Sequence, residues 1–144
     1  MIKVGKGLQA AAVIICVLAL ALVYVGHRTA TLEGRVSELE NLIVGCEITI
    51  DNGLGAVTEN VYLTKGTTAL EALRRVAVVE TTYYAGLGEF IDSINGVAND
   101  EEAGKYWMWY LWENGAWKLA SVGPGSYKIK DGDKIKFSYE VPAW

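Results

Sequence analysis

VYLTKGTTALEALRRV, residues 61–76, is the stretch on which the fold turns. Val61 to Thr64 has the β-branched and aromatic content of a strand, and Gly66 breaks it. Thr68 followed by Glu71 is the spacing of a capping box, in which each side chain satisfies a backbone N–H that the first helical turn leaves free. Leu70, Leu73, Val76 and Ala77 then recur at helical spacing while Arg74 and Arg75 point elsewhere. An amphipathic helix is therefore predicted over about residues 68–78. A short helix entered straight from a strand must bury its apolar stripe on a sheet.

Strand signals lie on both sides of it. Cys46 to Ile50 alternates, with Ile48 and Ile50 on one face, and closes at Asp51-Asn52-Gly53. Phe90 to Ile94 runs into Asn95-Gly96, and Tyr106 to Trp112 ends at Glu113-Asn114-Gly115. Asn-Gly is the strongest short hairpin signal, so Trp117 to Leu119 is the return strand. Tyr127 to Ile129 reads as one more short strand before the turn at Asp131-Gly132-Asp133. In the last strand Ile135, Phe137 and Tyr139 alternate with Lys134, Lys136 and Ser138, which predicts one buried face and one wet face. Strand, strand, helix, then several strands is an α+β order, and a β-grasp-like domain with one helix on a mixed sheet is the expectation.

Toward the amino end the composition changes. Leu8 to Gly26, LQAAAVIICVLALALVYVG, has Gln9 as its one polar interruption, and as a helix it spans about 28 Å, close to the hydrocarbon thickness of a bilayer. Lys3 and Lys6 flank one side and His27 and Arg28 the other, with Tyr24 near the interface. A cleaved signal peptide fits less well, because four apolar residues follow the small residues Ala19 and Ala21 and a cut there falls inside the helix. Leu32, Val36, Leu39 and Ile43 then form a two-heptad seam, read as a helical stalk or a short oligomerisation neck. The expected organisation is a transmembrane anchor over residues 1–28, a stalk over 29–45 and a globular domain over 46–144. Lys6-Gly7-Leu8 also has the outline of a prepilin processing site, although Ala12 stands where bacterial pilins carry glutamate. A structural, pilin-like subunit is thus the alternative, with a homo-oligomer formed through the stalk or the amino-terminal helix.

Composition excludes several functions. The net charge is −4, and the first 45 residues hold Lys3, Lys6, Arg28 and Arg35 against Glu33, Glu38 and Glu40, so the acidic excess lies in the domain. Such a surface is unsuited to nucleic acid. The single histidine, His27, flanks the apolar segment, which leaves the domain without an imidazole for a triad or a zinc site. Cys16 and Cys46 are separated by membrane depth, so no intrachain disulfide is expected. Asp131 and Asp133 fall short of the oxygen donors a calcium ion needs and fit a turn better. Ser121 to Ser126, SVGPGS, lacks the lysine and following helix of a phosphate loop. No catalytic residue, metal or obligatory cofactor is expected.

The unusual segment is Tyr106-Trp-Met-Trp-Tyr-Leu-Trp112, whose alternation puts Trp107, Trp109 and Leu111 on one face and Tyr106, Met108, Tyr110 and Trp112 on the other. One face covers the helix, and large aromatics on the other form a patch of the kind that marks a binding surface.

Residues 65–75, Phe90 to Gly96, Tyr106-Trp107-Met108, Asn114-Gly115 and Gly125 to Asp133, taken in order and spacing, resemble the transcobalamin-like carboxy-terminal domain (DUF4430) family across nearly all of residues 46–140. The resemblance implies a β-grasp of the soluble-ligand-binding type displayed outside the cell, and hence a cytoplasmic amino terminus. In the cobalamin carriers the domain is half of a clamp that closes against a helical barrel, whereas here an anchor and stalk precede Cys46. The carriers' ligand surface includes the strands matching Phe90 to Ile94 and Trp107 to Leu111, which makes Ser93, Trp107, Trp109 and Leu111 the ligand-binding candidates. The function so implied is a membrane-anchored, extracytoplasmic ligand-binding or adhesion module. Its partner is a small ligand, cobalamin among them, or a surface protein.

Overall fold

Thr68 caps its helix as the spacing requires: its hydroxyl accepts the Glu71 N–H at 3.2 Å, and the Glu71 carboxylate accepts the Thr68 N–H at 2.8 Å. The computed structural model describes residues 5–143. They form two units, one ending at Asn41 and the other beginning at Leu42.

The first unit is a single helix, α1 (Lys6–Glu40). Its Gln9–Glu40 portion is long and apolar enough to cross a membrane, and Ile15, Leu20, Leu22 and Val23 are all exposed. Thirty-five residues make a rod of about 52 Å, roughly 20 Å more than a bilayer core, so the segment read as a stalk is the same helix continued. It is shorter than expected. The helix ends at Glu40 and β1 (Ile43–Asp51) begins at Ile43, because Ile43 and Val44 enter the sheet. The fourth position of the heptad seam is therefore a strand residue, and the domain starts at Leu42 rather than Cys46.

In the second unit β1 is followed by β2 (Ala56–Thr64), α2 (Ala69–Val76), β3 (Val79–Tyr84), β4 (Gly88–Ile94), β5 (Val97–Ala98), β6 (Tyr106–Glu113), β7 (Ala116–Leu119) and β8 (Asp133–Glu140). The α+β reading holds. Five strands form one mixed sheet in the order β2-β1-β8-β6-β7, with β8 parallel to β1 and antiparallel to β6. A second sheet, β3-β4-β5, has three antiparallel strands, and its β3 was not evident in the sequence. Asn95-Gly96 and Asn114-Gly115 turn the two tight hairpins with positive φ at both residues, the backbone that matches strand twist.

One core serves both sheets and the helix. Ile48, Ile135 and Phe137 from the large sheet, Leu70 and Leu73 from α2, and Ile94 from β4 are fully buried together. The segment before β8 ties down the start of α2: the Ala69 and Leu70 N–H groups donate to the Tyr127 and Pro124 carbonyls, and the Ile129 N–H donates to the Thr67 carbonyl. That exchange leaves Tyr127 to Ile129 as a single bridge (Thr68 with Lys128) instead of the predicted strand. The outer face of β8 also departs from expectation. Ser138 is buried, its hydroxyl donating to Glu140, and Lys136 is half-buried against the Tyr110 and Trp117 rings.

The cap makes a measurable claim. Glu71 has its pKa lowered below the ordinary 4.5, chiefly by the Thr68 N–H and then by its hydroxyl. A carboxylate with a depressed pKa stabilises the fold above its unfolded value, and that contribution disappears as pH falls through the folded value. Thr68→Ala should cost about 1 kcal/mol in denaturant unfolding of the detergent-solubilised chain. Glu71→Gln should flatten the loss of stability on acidification below about pH 4.5, and an unchanged acid limb would contradict this role.

Candidate functional site

A cleft opens at one end of the core. The end of β1 and the β1–β2 turn supply Ile50, Asn52 and Gly55, β2 supplies Val57 and Glu59, and α2 supplies Val76. Ile94, Asn95 and Val97 of the β4–β5 hairpin complete the wall, and Trp107 is the one aromatic in the lining. Its volume is about 180 Å³. Sites that enclose a drug-sized molecule run to roughly 300–1,000 Å³, so this one accepts a single ring or the edge of something larger.

The local chain explains the walls. Asn52 folds the β1–β2 turn back on itself, its side-chain oxygen accepting the Leu54 and Gly55 N–H groups at 2.9 and 3.0 Å. Asn95 locks the hairpin to the end of α2: its side-chain oxygen accepts the Val78 N–H at 2.9 Å, while its own N–H donates to the Val78 carbonyl at 2.8 Å. Trp107 is held from three directions. Its indole N–H donates to the Val97 carbonyl at 2.8 Å, its backbone N–H donates to the Asn99 side chain at 2.9 Å, and its ring packs on Tyr139 at 5.4 Å. With its polar atom satisfied, the ring offers the cleft only apolar surface. Glu59, exposed at the rim, makes no ion pair among the described residues.

Of the four residues singled out in the sequence, Trp107 lines this cleft and Ser93, Trp109 and Leu111 do not. Ser93 is buried on β4 and donates to the Glu80 carboxylate at 2.7 Å. Trp109 is buried between Phe137 and Tyr127, its indole N–H donating to the Val122 carbonyl at 2.9 Å. Leu111 is half-buried against the core. The cleft residues that sequence reading missed, Ile50, Val57, Val76 and Val97, look like ordinary core-face residues in one dimension. Only the contact between two turns and a helix end makes them a site.

The opposite face of β6 carries the aromatic patch. Trp112 meets Trp117 edge-on at 5.2 Å, and the Lys136 ammonium lies 4.9 Å from the Tyr110 ring centre and 5.4 Å from that of Trp117. The Tyr110 hydroxyl donates to Glu140, which also accepts from Ser138. Burial and that carboxylate push Tyr110 up to about 12. Lys136 thus occupies the faces of Tyr110 and Trp117, while Trp112 keeps an exposed side.

The other shifted groups lie outside the cleft as well. Burial and the neighbouring Asp133 and Glu47 push the Cys46 thiol up to about 12, burial and Asp133 do the same to Tyr127, and Arg74 lowers Glu89. Among the described residues no three His, Cys, Asp or Glu side chains gather as a metal site.

Comparison with known proteins follows the fold. The family model for a domain of unknown function, DUF4430, matches residues 66–141. Haptocorrin, solved in complex with Cbi, superposes with a TM-score of 0.58 at 17% identity over 68% of this chain. The match takes in 25% of haptocorrin's own length. A protein of Ruminococcus gnavus, provisionally described as metal binding, superposes with a TM-score of 0.52 at 14% identity, over 69% of this chain and 99% of that one. At these identities the likeness is one of fold. No curated protein sequence matches the chain.

The two aromatic sites predict different costs. Trp107→Ala should destabilise the domain by about 3–5 kcal/mol, since it empties a buried volume and orphans the Val97 carbonyl. Trp112→Ala, at 43% exposure, should cost only about 0.5–1.5 kcal/mol, the worth of its aromatic pair. Denaturant unfolding of both variants measures the difference, and equal costs would contradict the assignment of inner and outer faces.

Proposed function

This chain belongs to the DUF4430 family, and on that premise we propose that it is a membrane-anchored, non-catalytic module that binds one edge of a small ligand in the cleft beside Trp107. The observation that carries the reading is the cleft itself, whose walls set Ile50, Val57, Val76, Ile94 and Val97 beside the polar Asn52, Asn95 and Glu59, and whose floor is an indole with its N–H already used. A ring seated there stacks against Trp107 and the aliphatic walls, while the Glu59 carboxylate at the rim receives a donor group from the ligand. Haptocorrin, with a domain of the same fold, was solved with Cbi, which supports a corrinoid or another large planar ligand presenting one edge. A volume of about 180 Å³ accommodates no more than that edge. Ser93, Trp109 and Leu111 act behind the site, fixing the strands that hold Trp107.

On this reading the helix α1 provides the anchor, and the domain faces the extracytoplasmic side. Support for the anchor comes from its length, its apolar run from Ala10 to Val25 and the Arg28 and Tyr24 at the end of that run, with the Arg28 guanidinium donating to the Tyr24 hydroxyl at 3.1 Å.

Equilibrium dialysis of the detergent-solubilised chain against Cbi, and against single-ring aromatic compounds, tests the site. Saturable binding is expected, reduced roughly tenfold or more by Val57→Phe, which fills the cleft from an exposed strand position with little effect on folding. Binding of none of these probes, or binding indifferent to Val57→Phe, would overturn the reading. For the anchor, the chain should stay with membranes through an alkaline carbonate wash, and protease added to intact cells should remove the domain. Release by carbonate, or protection from protease, would overturn the corresponding half.

A further inference from the structure

Three polar side chains stand among the aliphatic lining of the cleft: Asn52, Asn95 and Glu59. Each has a fixed hydrogen-bonding sense. A backbone N–H can meet only the oxygen of an asparagine amide, because the amide nitrogen is itself a donor. The Asn52 oxygen takes the Leu54 and Gly55 N–H groups, and the Asn95 oxygen takes the Val78 N–H. The folding of the two turns therefore decides which way round both amides lie. What each asparagine has left to offer a ligand is its amino group, which has no partner among the described residues. Glu59 is the reverse case, an exposed acceptor with no ion pair among the described residues.

The cleft thus sets two neutral donors and one anionic acceptor around a space that takes a single ring. That combination is selective. A carboxylate is repelled by Glu59, and an ammonium satisfies Glu59 but has no lone pair for the two asparagines. A bare hydrocarbon ring leaves all three groups without a partner. A primary carboxamide answers all three at once, since its carbonyl oxygen has two lone pairs and its nitrogen two hydrogens. Resting on the reading that the cleft binds one edge of a ligand, we propose that the edge it selects carries an uncharged primary carboxamide. The carbonyl oxygen accepts from the Asn52 and Asn95 amino groups, the amide N–H donates to Glu59, and the attached ring or chain lies on Trp107. Asn52, Asn95 and Glu59 are exposed, so water competes for each of them, and discrimination of roughly tenfold per lost partner is expected.

Nicotinamide, nicotinate and the matching methyl ketone share one ring and differ in the group it carries: a carboxamide, a carboxylate, and a carbonyl without N–H. Their binding to the full chain in detergent micelles is measured by ligand-observed NMR titration. Nicotinamide should bind roughly tenfold or more tightly than either relative, and Val57→Phe should abolish its binding. The double substitution Asn52→Asp and Asn95→Asp keeps the oxygens that hold the two turns and replaces both donors by acceptors. It should weaken nicotinamide roughly tenfold or more, with near-ultraviolet circular dichroism reporting an intact fold. Glu59→Lys, on an exposed strand position, should reverse the order of nicotinamide and nicotinate. Equal binding of the three probes that Val57→Phe still abolishes would overturn the carboxamide assignment and leave the cleft as a site. The original order kept by Glu59→Lys would overturn the assignment as well, and binding of no probe would overturn both the assignment and the site.

Discussion

The parallel pairing of β1 with β8 is the constraint on which the rest of the domain depends. It sets Ile48 beside Ile135 and Ile50 beside Phe137, joining the first strand of the domain to its last. Parallel neighbours cannot be joined by a hairpin, so everything between them is a crossover. α2, the small sheet and the β6–β7 hairpin are all parts of that crossover, and the core is whatever they enclose. The consequence is visible in burial: β8 is the middle strand of five, and Ile135 and Phe137 are wholly inaccessible. By contrast β2, which follows β1 directly through a hairpin, is left at the rim.

The same constraint makes the cleft. Once β8 is inserted, β6 must lie on its far side, with Trp107 opposite Tyr139 and Trp109 opposite Phe137. Trp109 is then closed in by Tyr127 and the carbonyl of Val122, whereas Trp107 lies where the sheet, the end of α2 and the β4–β5 turn fail to meet completely. Two tryptophans two residues apart, equally exposed and facing the same way, thus have different surroundings. Position along the strand decides which one borders the cleft.

How much of this the sequence disclosed follows from the range of the interactions. The capping box, the two Asn-Gly turns and the core face of β8, Ile135 and Phe137, are patterns within a few residues, and each was legible. The division of β6 into two faces was legible too, because a strand alternates whatever surrounds it. β3 was not, since VETTYY keeps mostly polar or exposed side chains and its partner β4 is reached without a marked hairpin signal. Tyr127 to Ile129 has strand-like residues but spends its carbonyl and N–H groups on Thr67 and Ala69 at the start of α2, a tertiary contact no window of sequence contains. The cleft was hidden for the same reason: its lining comes from Ile50 through Trp107, and only the fold gathers those residues around one opening.

Hydrogen exchange on the full chain tests the central place of the β1–β8 pair most directly. Amides of Ile48, Ile135 and Phe137 should exchange only through global unfolding, at the slowest rates in the domain and with the same response to denaturant. Amides of the β4–β5 hairpin should open sooner, through local fluctuations. If the β8 amides exchanged as fast as those of that hairpin, the last strand would not be holding the first, and neither the core nor the cleft could owe its shape to that pairing.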